Sequence, residues 1–359
     1  MQKLKVLFVI NRLKLGGAQR VVITLARSMR DLGHDTHIIC FKRSEELVGA
    51  QDLDVHYVER SLAFLPLPVS NRLRAAKLDR YVRDHIGEPN LVLSNLTKAN
   101  RILVHSSLPN IHIIVHNTLT DAIQKKEGLA VSRWLRARKF RSIYMKKACI
   151  ACGDGVYQDF LKLMPDHPSV HRIFNAVDNH QIRAWSSEKT SPFNNYVVHV
   201  GSFIRDKRHD VLLLAYKEAA IKESLVLLGT GELEMKVRQQ AEDLGIENKV
   251  IFAGFHSNPY PIIANARLMI CSSDYEGLSL ALLEALALGV PVISTDCNSG
   301  PREILPARNM VPAGDVSALG AKVREAMANR KAFACPLPAK FKISQVTHEY
   351  LALAQTPDI

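Results

Sequence analysis

The sequence of 359 residues contains no hydrophobic run of the roughly 20 residues that a membrane-spanning helix needs. Its first apolar run, Val6–Ile10, follows two lysines and continues into Asn11 without the small-residue cleavage site of a secretory signal. We therefore interpret this run as a first β-strand. We expect a cytoplasmic protein, bound peripherally to the inner face of the cell membrane.

Cysteine is scarce, with six residues at positions 40, 149, 152, 271, 297 and 335. Cys149 and Cys152 form a C-x-x-C pair, but the second pair that a zinc site requires is missing. Several of the cysteines lie in apolar runs typical of buried strands. We expect reduced, buried structural thiols in a cytosolic chain.

A convincing pair of acids for a divalent metal is also missing. Asp52-Leu-Asp54 has the form of a short metal-binding motif, but such matches are common by chance. This one precedes a predicted strand, whereas a metal-binding pair is expected to follow one. We predict that the activity requires no metal and no cofactor.

Acidic residues are too few in the first half to balance its basic ones. Residues 1–180 hold 28 Lys and Arg against 16 Asp and Glu, whereas residues 181–359 hold 19 of each. The formal net charge of +12 therefore lies entirely in the first half. Such asymmetry indicates an anionic partner, which is a phospholipid surface, a phosphorylated acceptor or a nucleic acid.

The densest basic segment, residues 133–147, contains seven basic residues and no acid. Together with Trp134 and Phe140 it predicts a basic amphipathic helix that lies on anionic lipid, and residues 61–69 would add an apolar contact. The alternative is a solvated helix and a packed loop. Nucleic acid is disfavoured as a partner because no recognised binding motif accompanies the charge.

Apolar runs that read as strands alternate with segments of helical periodicity along the chain. Such alternation predicts an α/β protein with parallel sheets covered by helices. The pattern restarts near residues 192–195, which indicates two Rossmann-like, doubly wound domains with ligands at the carboxyl ends of the strands. We predict an N-terminal domain at 1–180, a C-terminal domain at 181–340, and a final helix in 341–359 that returns to the N-terminal domain. The family resemblance described below implies that the first binds the acceptor and the second the nucleotide sugar.

The most informative stretch is Asp274–Glu284, in which Glu276 and Glu284 are separated by seven residues. If residues 278–288 form a helix, its N-terminus favours an anion beside Gly277. Carboxylates at this place suit the hydroxyl groups of a sugar. The alternative is that Glu276 is an ordinary helix-start acid and Glu284 a solvated one.

Glu276-x7-Glu284 and Gly300-Pro-Arg-Glu303 resemble motifs of the retaining glycosyltransferases of family 4, which have the GT-B fold. Further blocks of the family stand in the expected order over nearly the whole chain. They are Gly16-Gly17, Val115-His116, Asn175–Asp178, Val200-Gly201 to Lys207, Leu228–Gly231 and Phe252–Phe255.

The resemblance implies a role for each matching residue. Glu276 would hold the hydroxyls of the donor sugar, and Glu284 those of the ribose. Lys207 would neutralise the donor diphosphate, whose developing charge fixed cations and amides stabilise. His116 would contact the sugar or its phosphate as a third catalytic residue. The other implied donor contacts are Gly16, Gly17, Gly201, Arg205, Gly229, Gly231, Phe255, Gly277, Leu278 and Ser279.

Three positions depart from the family pattern. Ser202 stands where the family commonly has Arg, and either Arg205 or Arg208 would replace the missing guanidinium. Cys152 occupies a position that is usually Ser, and Ala176 one that is usually Gly.

The resemblance implies a retaining, metal-independent transferase that moves a hexose or N-acetylhexosamine from a nucleotide-diphosphate sugar, with UDP favoured over GDP. The implied acceptor is a lipid-linked, lipopolysaccharide or polysaccharide glycan of the cell envelope. One rival is a nucleotide-sugar epimerase, which would release free nucleotide without an acceptor. Another is a non-catalytic protein that binds nucleotide sugar or a lipid surface, and it would bind donor without turnover.

Overall fold

The computed structural model describes residues 2–13, 16–43, 49–58, 71–124 and 130–355. The chain divides into two compact units, one of Met1–Ala176 with Ile343–Ile359 and one of Val177–Lys342. We call them the first and the second unit. None of the helices within those described ranges has the length and apolar character that crossing a membrane requires.

The first unit is built on a parallel sheet with the order β3-β2-β1-β4-β5-β6-β7 in the described part of the chain. β1 and β4 lie side by side at its centre, and their residues are almost entirely buried. The strands are β1 (Lys5–Ile10), β2 (Asp35–Cys40), β3 (Asp54–Tyr57), β4 (Leu91–Asn95), β5 (Ile111–Val115), β6 (Ala148–Ala151) and β7 (Val170–Arg172).

Helices cover this sheet because their apolar residues recur at helical spacing. In the first helix, Val21, Leu25 and Met29 recur every four residues and are buried. The last helix of the chain belongs to this unit, and Thr347 hydrogen-bonds Ser28 at 2.8 Å between their hydroxyl oxygens. The helices are α1 (Gly17–Asp31), α2 (Asn71–His85), α3 (Leu96–Leu103), α4 (Leu119–Gln124), α5 (Ala130–Tyr144), α6 (Asp154–Leu163) and, at the C-terminus, α15 (Ile343–Ala352).

The second unit has a parallel sheet with the order β10-β9-β8-β11-β13-β15, and beside it the short pair β12-β14. The strands are β8 (Tyr196–Val200), β9 (Ser224–Leu228), β10 (Val250–Gly254), β11 (Met269–Cys271), β12 (Tyr275–Glu276), β13 (Val292–Asp296), β14 (Asn298–Ser299) and β15 (Met310–Pro312). The helices are α7 (Asn179–Ser186), α8 (His209–Ala219), α9 (Glu234–Asp243), α10 (Tyr260–Ala264), α11 (Leu280–Ala287), α12 (Pro301–Ile304), α13 (Val316–Ala328) and α14 (Arg330–Phe333).

Both sheets reverse their strand order at one place, between β1 and β4 in the first unit and between β8 and β11 in the second. The predicted pair of doubly wound sheets is therefore confirmed. At such a reversal the loops that follow the two neighbouring strands diverge and leave a crevice at the carboxyl edge. The reversals therefore mark where ligands are expected.

The basic segment forms a helix, α5, but the prediction that it is amphipathic is wrong. Trp134 and Leu135 are 58% and 53% exposed, whereas Ile143 and Tyr144 near the other end of the helix are buried. At 100° per residue, its apolar and basic residues are distributed all around the axis. The predicted apolar contact at 61–69 lies outside the described residues.

Candidate functional site

Lys207 and Glu276 meet at the strand reversal of the second unit. The chain leaves β8 at Gly201 and reaches Lys207 at the end of a short 3-10 turn, Arg205–Lys207. Glu276 follows β11, the strand beside β8. The Lys207 ammonium lies 2.5 Å from Oε1 of the Glu276 carboxylate. Two residues that were assigned separately to a donor site therefore form an ion pair with each other.

Glu276 is held in place by its side chain and by its backbone. Oε1 accepts a hydrogen bond from Ser273 Oγ at 2.7 Å, and the backbone carbonyl accepts one from Ser299 Oγ at 2.9 Å. The glycine of the motif Gly300-Pro-Arg-Glu303 has a steric explanation. A Cβ atom at residue 300 would lie 2.0 Å from the carbonyl oxygen of Gly277. The two loops can approach this closely only because residue 300 has no side chain.

Lys207 is also fixed along its length. Its backbone carbonyl accepts a hydrogen bond from Ser272 Oγ at 2.8 Å. Its aliphatic stem passes Gly201, where a Cβ atom would lie 3.3 Å from Cγ and Cδ of the lysine. Burial by itself would lower the pKa of Lys207, but the carboxylate of Glu276 outweighs that effect and raises it. The ammonium is therefore charged at neutral pH.

Glu284 lies on α11 with only 2% of its surface exposed, so the alternative of a solvated carboxylate is wrong. Its Oε1 accepts a hydrogen bond from the hydroxyl of Tyr260 at 3.2 Å. Trp185 stacks on the Tyr260 ring with 5.7 Å between centroids. The sequence analysis missed Tyr260, because a lone tyrosine in an apolar run carries no local signal.

The start of α11 follows directly on the Glu276 loop. Gly277, Leu278 and Ser279 connect the carboxylate to the helix, which begins at Leu280. Ser279 is extended and its side chain does not cap the helix. The first N–H groups and the positive end of the helix dipole are therefore free of a side-chain cap where a diphosphate is expected.

The glycines after β8 and β9 bring two loops into contact. Gly229 has φ +146°, and a Cβ atom there would lie 2.1 Å from the carbonyl oxygen of Gly201. A Cβ at Gly231 would lie within 2.5–2.8 Å of the Phe203 backbone. Gly201 N–H in turn donates to the carbonyl of Leu228 at 2.9 Å. These glycines allow the loop that carries Lys207 to pack closely against its neighbour. They therefore have a packing role in addition to the donor contact that the resemblance implies.

The two arginines that would replace the guanidinium missing at Ser202 differ in their surroundings. Arg208 binds Asp210 and Asp274, with nitrogen–oxygen distances of 2.9 Å to each. Arg205 is exposed, and none of the described acids pairs with it. Arg205 is therefore the one available to an incoming anion. Phe255, another implied donor contact, follows β10 and is 46% exposed.

The remaining predicted residues lie in the first unit, at the carboxyl edge of its sheet. His116 follows β5, and its Nε2 lies 3.1 Å from Oδ1 of Asn95 at the end of β4. The thiol of Cys152, after β6, lies 3.6 Å from Nδ1. Burial lowers the pKa of His116 to about 4, so the imidazole is neutral at pH 7.

The first helix of this unit begins at Gly17, and Gly16 precedes it with extended backbone. Both glycines are exposed. A Cβ atom at Gly16 would lie 2.6 Å from the amide oxygen of Gln19, so a side chain at residue 16 would require Gln19 to move.

The cysteines and the Asp52-Leu-Asp54 segment were the other candidate sites in the sequence. All six cysteines are free thiols, and all except the half-buried Cys335 are buried. Asp52 does not act together with Asp54, because it forms ion pairs with Arg27 at 3.0 Å and Arg30 at 2.9 Å. Asp54 begins β3, and its carboxylate lies near His37 and His56 instead.

Models of known protein families match both halves of the chain. The model described as Glycosyltransferase Family 4 matches residues 15–181, and the model described as Glycosyl transferases group 1 matches residues 183–342. The chain is 31% identical over 327 residues to the lipopolysaccharide core biosynthesis glycosyltransferase LpsE of Rhizobium meliloti, covering 88% of this chain and 87% of LpsE.

Two further proteins resemble the chain over most of its length. One is the N-acetylgalactosamine-N,N'-diacetylbacillosaminyl-diphospho-undecaprenol 4-alpha-N-acetylgalactosaminyltransferase of Campylobacter jejuni, 27% identical over 318 residues that cover 85% of this chain and 83% of the relative. The other is the crystal structure of Anabaena HepE in complex with UDP and glucose. It has a TM-score of 0.80 at 18% identity and covers 98% of this chain and 99% of HepE. This likeness in structure demonstrates the GT-B fold.

Proposed function

Because the chain belongs to glycosyltransferase family 4, we propose that it moves a hexose or N-acetylhexosamine from a UDP-linked donor to a lipid-linked or lipopolysaccharide-type glycan. The observation that carries the proposal is the Lys207–Glu276 pair at the strand reversal, followed at once by the uncapped start of α11. A cation, a carboxylate and a row of amides are the groups that a sugar diphosphate needs.

The pair has a chemical role on both sides. As the sugar–phosphate bond breaks, negative charge grows on the diphosphate leaving group. The donor diphosphate takes the place of Glu276 as partner of the Lys207 ammonium, and the α11 amides add to the same field. The carboxylate of Glu276 then accepts hydrogen bonds from hydroxyls of the transferred sugar, and Ser273 keeps it oriented.

The nucleotide is assigned to Glu284. A buried carboxylate with one oxygen on Tyr260 suits the two ribose hydroxyls, since charged acceptors form the stronger hydrogen bonds. UDP is favoured as the nucleotide because HepE, which has the same fold, was crystallised with UDP and glucose.

The relatives support the acceptor class and the stereochemistry of the proposal. LpsE acts in lipopolysaccharide core biosynthesis, and the Campylobacter enzyme extends a diphospho-undecaprenol glycan with an α-linked sugar. Transfer from an α-linked nucleotide sugar to an α product retains configuration. We therefore include retention in the proposal.

The proposal includes no metal or cofactor for transfer, because Lys207, Arg205 and the start of α11 supply the positive field at the diphosphate. In the first unit, His116 is neutral and acts as a hydrogen-bonding group toward sugar or phosphate. The basic surface around α5, with Trp134 exposed, brings the enzyme to an anionic membrane that carries the acceptor.

The experiment is a transfer assay with a panel of UDP- and GDP-sugars and undecaprenyl-diphosphate or lipopolysaccharide-core acceptors, each in excess chelator. We expect an α-linked product from a UDP-sugar, formed in chelator and lost in Lys207→Ala. Conversion of the sugar without an acceptor would indicate an epimerase instead of a transferase. Donor binding without turnover would indicate a non-catalytic binding protein. Activity abolished by chelator and restored by magnesium would contradict metal independence.

A further inference from the structure

A cluster of metal-ligating side chains lies in the first unit, on the edge strands β2 and β3. His37 and Asp54 are directly opposite each other in the parallel register, and His56 follows two residues later on the same face. Nδ1 of His37 lies 2.8 Å from Oδ2 of Asp54, and Nε2 of His56 lies 3.3 Å from Oδ1. The two ring nitrogens are 3.2 Å apart. Among the described residues, these three side chains form the group that could hold a metal ion, because one ligand atom from each lies within 4.8 Å of the others.

These separations match the edges of a coordination polyhedron. Zinc binds imidazole nitrogen and carboxylate oxygen at about 2.0–2.2 Å, so neighbouring ligand atoms in a tetrahedral site are about 3.3 Å apart. The two ring nitrogens are at this spacing, and each lies as close to one oxygen of the Asp54 carboxylate, so a small movement of the side chains would admit a single ion.

The outer nitrogen of His56 has the hydrogen-bond partner that is typical of metal ligands, whereas the outer nitrogen of His37 lies close to a carboxylate without a hydrogen bond. Nε2 of His37 lies 3.1 Å from a carboxylate oxygen of Asp35, and Nδ1 of His56 lies 3.3 Å from the hydroxyl of Tyr81 on α2. A partner at the far nitrogen fixes the orientation of the His56 ring and leaves its near nitrogen for the ion.

The charges at the cluster favour an added cation. A carboxylate oxygen lies within 3.1 Å of each ring nitrogen of His37, so two negative charges converge on this ring. Lys5 lies 3.6 Å from Asp35 and so balances that carboxylate, whereas Asp54 has no described lysine or arginine as an ion-pair partner.

We propose that His37, Asp54 and His56 form a binding site for a divalent transition-metal ion of the zinc class, separate from the proposed donor site. Two imidazoles and one carboxylate suit Zn²⁺ better than Mg²⁺ or Ca²⁺, which prefer oxygen ligands alone. Asp54 is 56% exposed, so the ion can enter from solvent and water completes its coordination.

The position in the sheet indicates a structural role. Asp54 and His56 belong to β3, a strand of four residues that pairs only with β2 in the described sheet. His37 lies in the first half of β2, whereas the substrate-binding residues of this unit follow the carboxyl ends of their strands. An ion at this place links β3 to β2 and takes no part in transfer.

The test uses the full-length protein freed of metal by dialysis against chelator. Calorimetry with ZnCl₂ is expected to give one saturable site per chain, and Co²⁺ at the same site is expected to give a visible d–d band that zinc abolishes. Saturating Zn²⁺ should raise the Tm by on the order of 5 °C, because the ion binds only the folded state.

Asp54→Asn and His56→Gln keep the size of the side chains and are expected to lose the zinc site, with at least tenfold weaker binding and no Co²⁺ band. The matched control is His348→Gln, an exposed histidine of the same unit, which should bind zinc as the wild type does. Circular dichroism of the metal-free variants checks that they are folded. Absence of saturable binding to the wild type, or equal affinity in Asp54→Asn, would overturn the proposal.

Discussion

At the scale of single residues, the two glutamates of the seven-residue spacing occupy different environments. Glu276 lies on a loop, in contact with an ammonium and two serines, whereas Glu284 is buried on a helix beside a tyrosine. These environments fit the proposed roles, in which Glu276 contacts the sugar beside the diphosphate and Glu284 contacts the nucleotide.

Glu284→Gln is expected to weaken UDP binding by about 10- to 100-fold, equivalent to 1–3 kcal/mol, because it removes a charged acceptor of the ribose hydroxyls. Glu276→Gln should leave UDP affinity near that of the wild type and lower kcat on the order of tenfold or more. Calorimetry with UDP and steady-state kinetics measure the two effects. Glu242→Gln, an exposed residue of α9, is the control. Equal loss of UDP affinity in both active-site variants would contradict this division.

Arg205 and Arg208 are expected to separate function from stability. Arg205→Ala should reduce affinity for the UDP-sugar with an unchanged Tm, because the side chain is exposed and lacks a described acidic partner. Arg208→Ala should lower stability by about 1–2 kcal/mol, since Asp210 and Asp274 lose their shared guanidinium. Thermal melting with and without UDP-sugar measures both. A destabilised Arg205→Ala with normal donor affinity would reverse the assignment.

At the scale of elements, α5 provides basic residues on all sides rather than one lipid-binding face. Arg141 is already paired with Asp166 at 2.5 Å, whereas Arg138, Lys139 and the following Lys146 are exposed. Trp134 lies beside Arg138, with 5.5 Å between the guanidinium carbon and the ring centroid. If α5 contacts the membrane as proposed, we expect the attraction to depend on total charge and one exposed aromatic group.

Replacing Arg138, Lys139 and Lys146 with Gln is expected to release the protein from anionic vesicles. Each basic group near an anionic leaflet contributes about 1 kcal/mol, and the attraction falls off within a Debye length. We therefore expect at least a tenfold loss of binding at low salt and weak binding of the wild type at high salt. Vesicle co-sedimentation is the measurement.

The control for this experiment removes the same charge from the second unit, where Lys217, Lys222 and Lys236 are exposed. Their replacement with Gln should leave vesicle binding near that of the wild type. If both triple variants lose binding equally, the interaction depends on net charge alone. If neither does, α5 is a solvated helix.

At the scale of the whole molecule, both units contain histidines that desolvation keeps neutral. Burial lowers the pKa of His116 in the first unit and of His199 in the second to about 4. The unfolded chain takes up these protons near pH 6.5, whereas the folded chain does so only near pH 4. Above pH 6.5 the two histidines therefore do not lower the free energy of unfolding. Their destabilising effect grows as the pH falls below 6.5, and it reaches its full size below pH 4.

We accordingly expect the Tm of the protein to fall as pH is lowered from 6.5 to 4. The loss is on the order of 3 kcal/mol for each histidine. His199→Leu should reduce the pH dependence of the Tm, whatever the Tm at pH 7, and the neighbouring His209, whose pKa burial also lowers, accounts for part of the remainder. His180→Leu, at an exposed position, should keep the wild-type profile. A Tm that rises on acidification, or a profile that His199→Leu does not alter, would contradict the prediction.

Much of the architecture is determined by local sequence. Val6–Ile10 and Tyr196–Val200 are short apolar runs that end at turn residues, and α1 has buried residues at helical spacing; such signals need no knowledge of distant residues. The short strands β12, β14 and β15 could not be predicted in this way, because two or three residues define no period.

Only the tertiary structure decided which side chains meet. Lys207 and Glu276 are 69 positions apart, and Tyr260 lies 24 positions from Glu284. The register of β2 against β3 places His37 opposite Asp54, and no sequence motif predicts this cluster. The physical reason is that periodicity specifies which face of an element is buried, whereas strand order and register specify which distant residues share that face or edge.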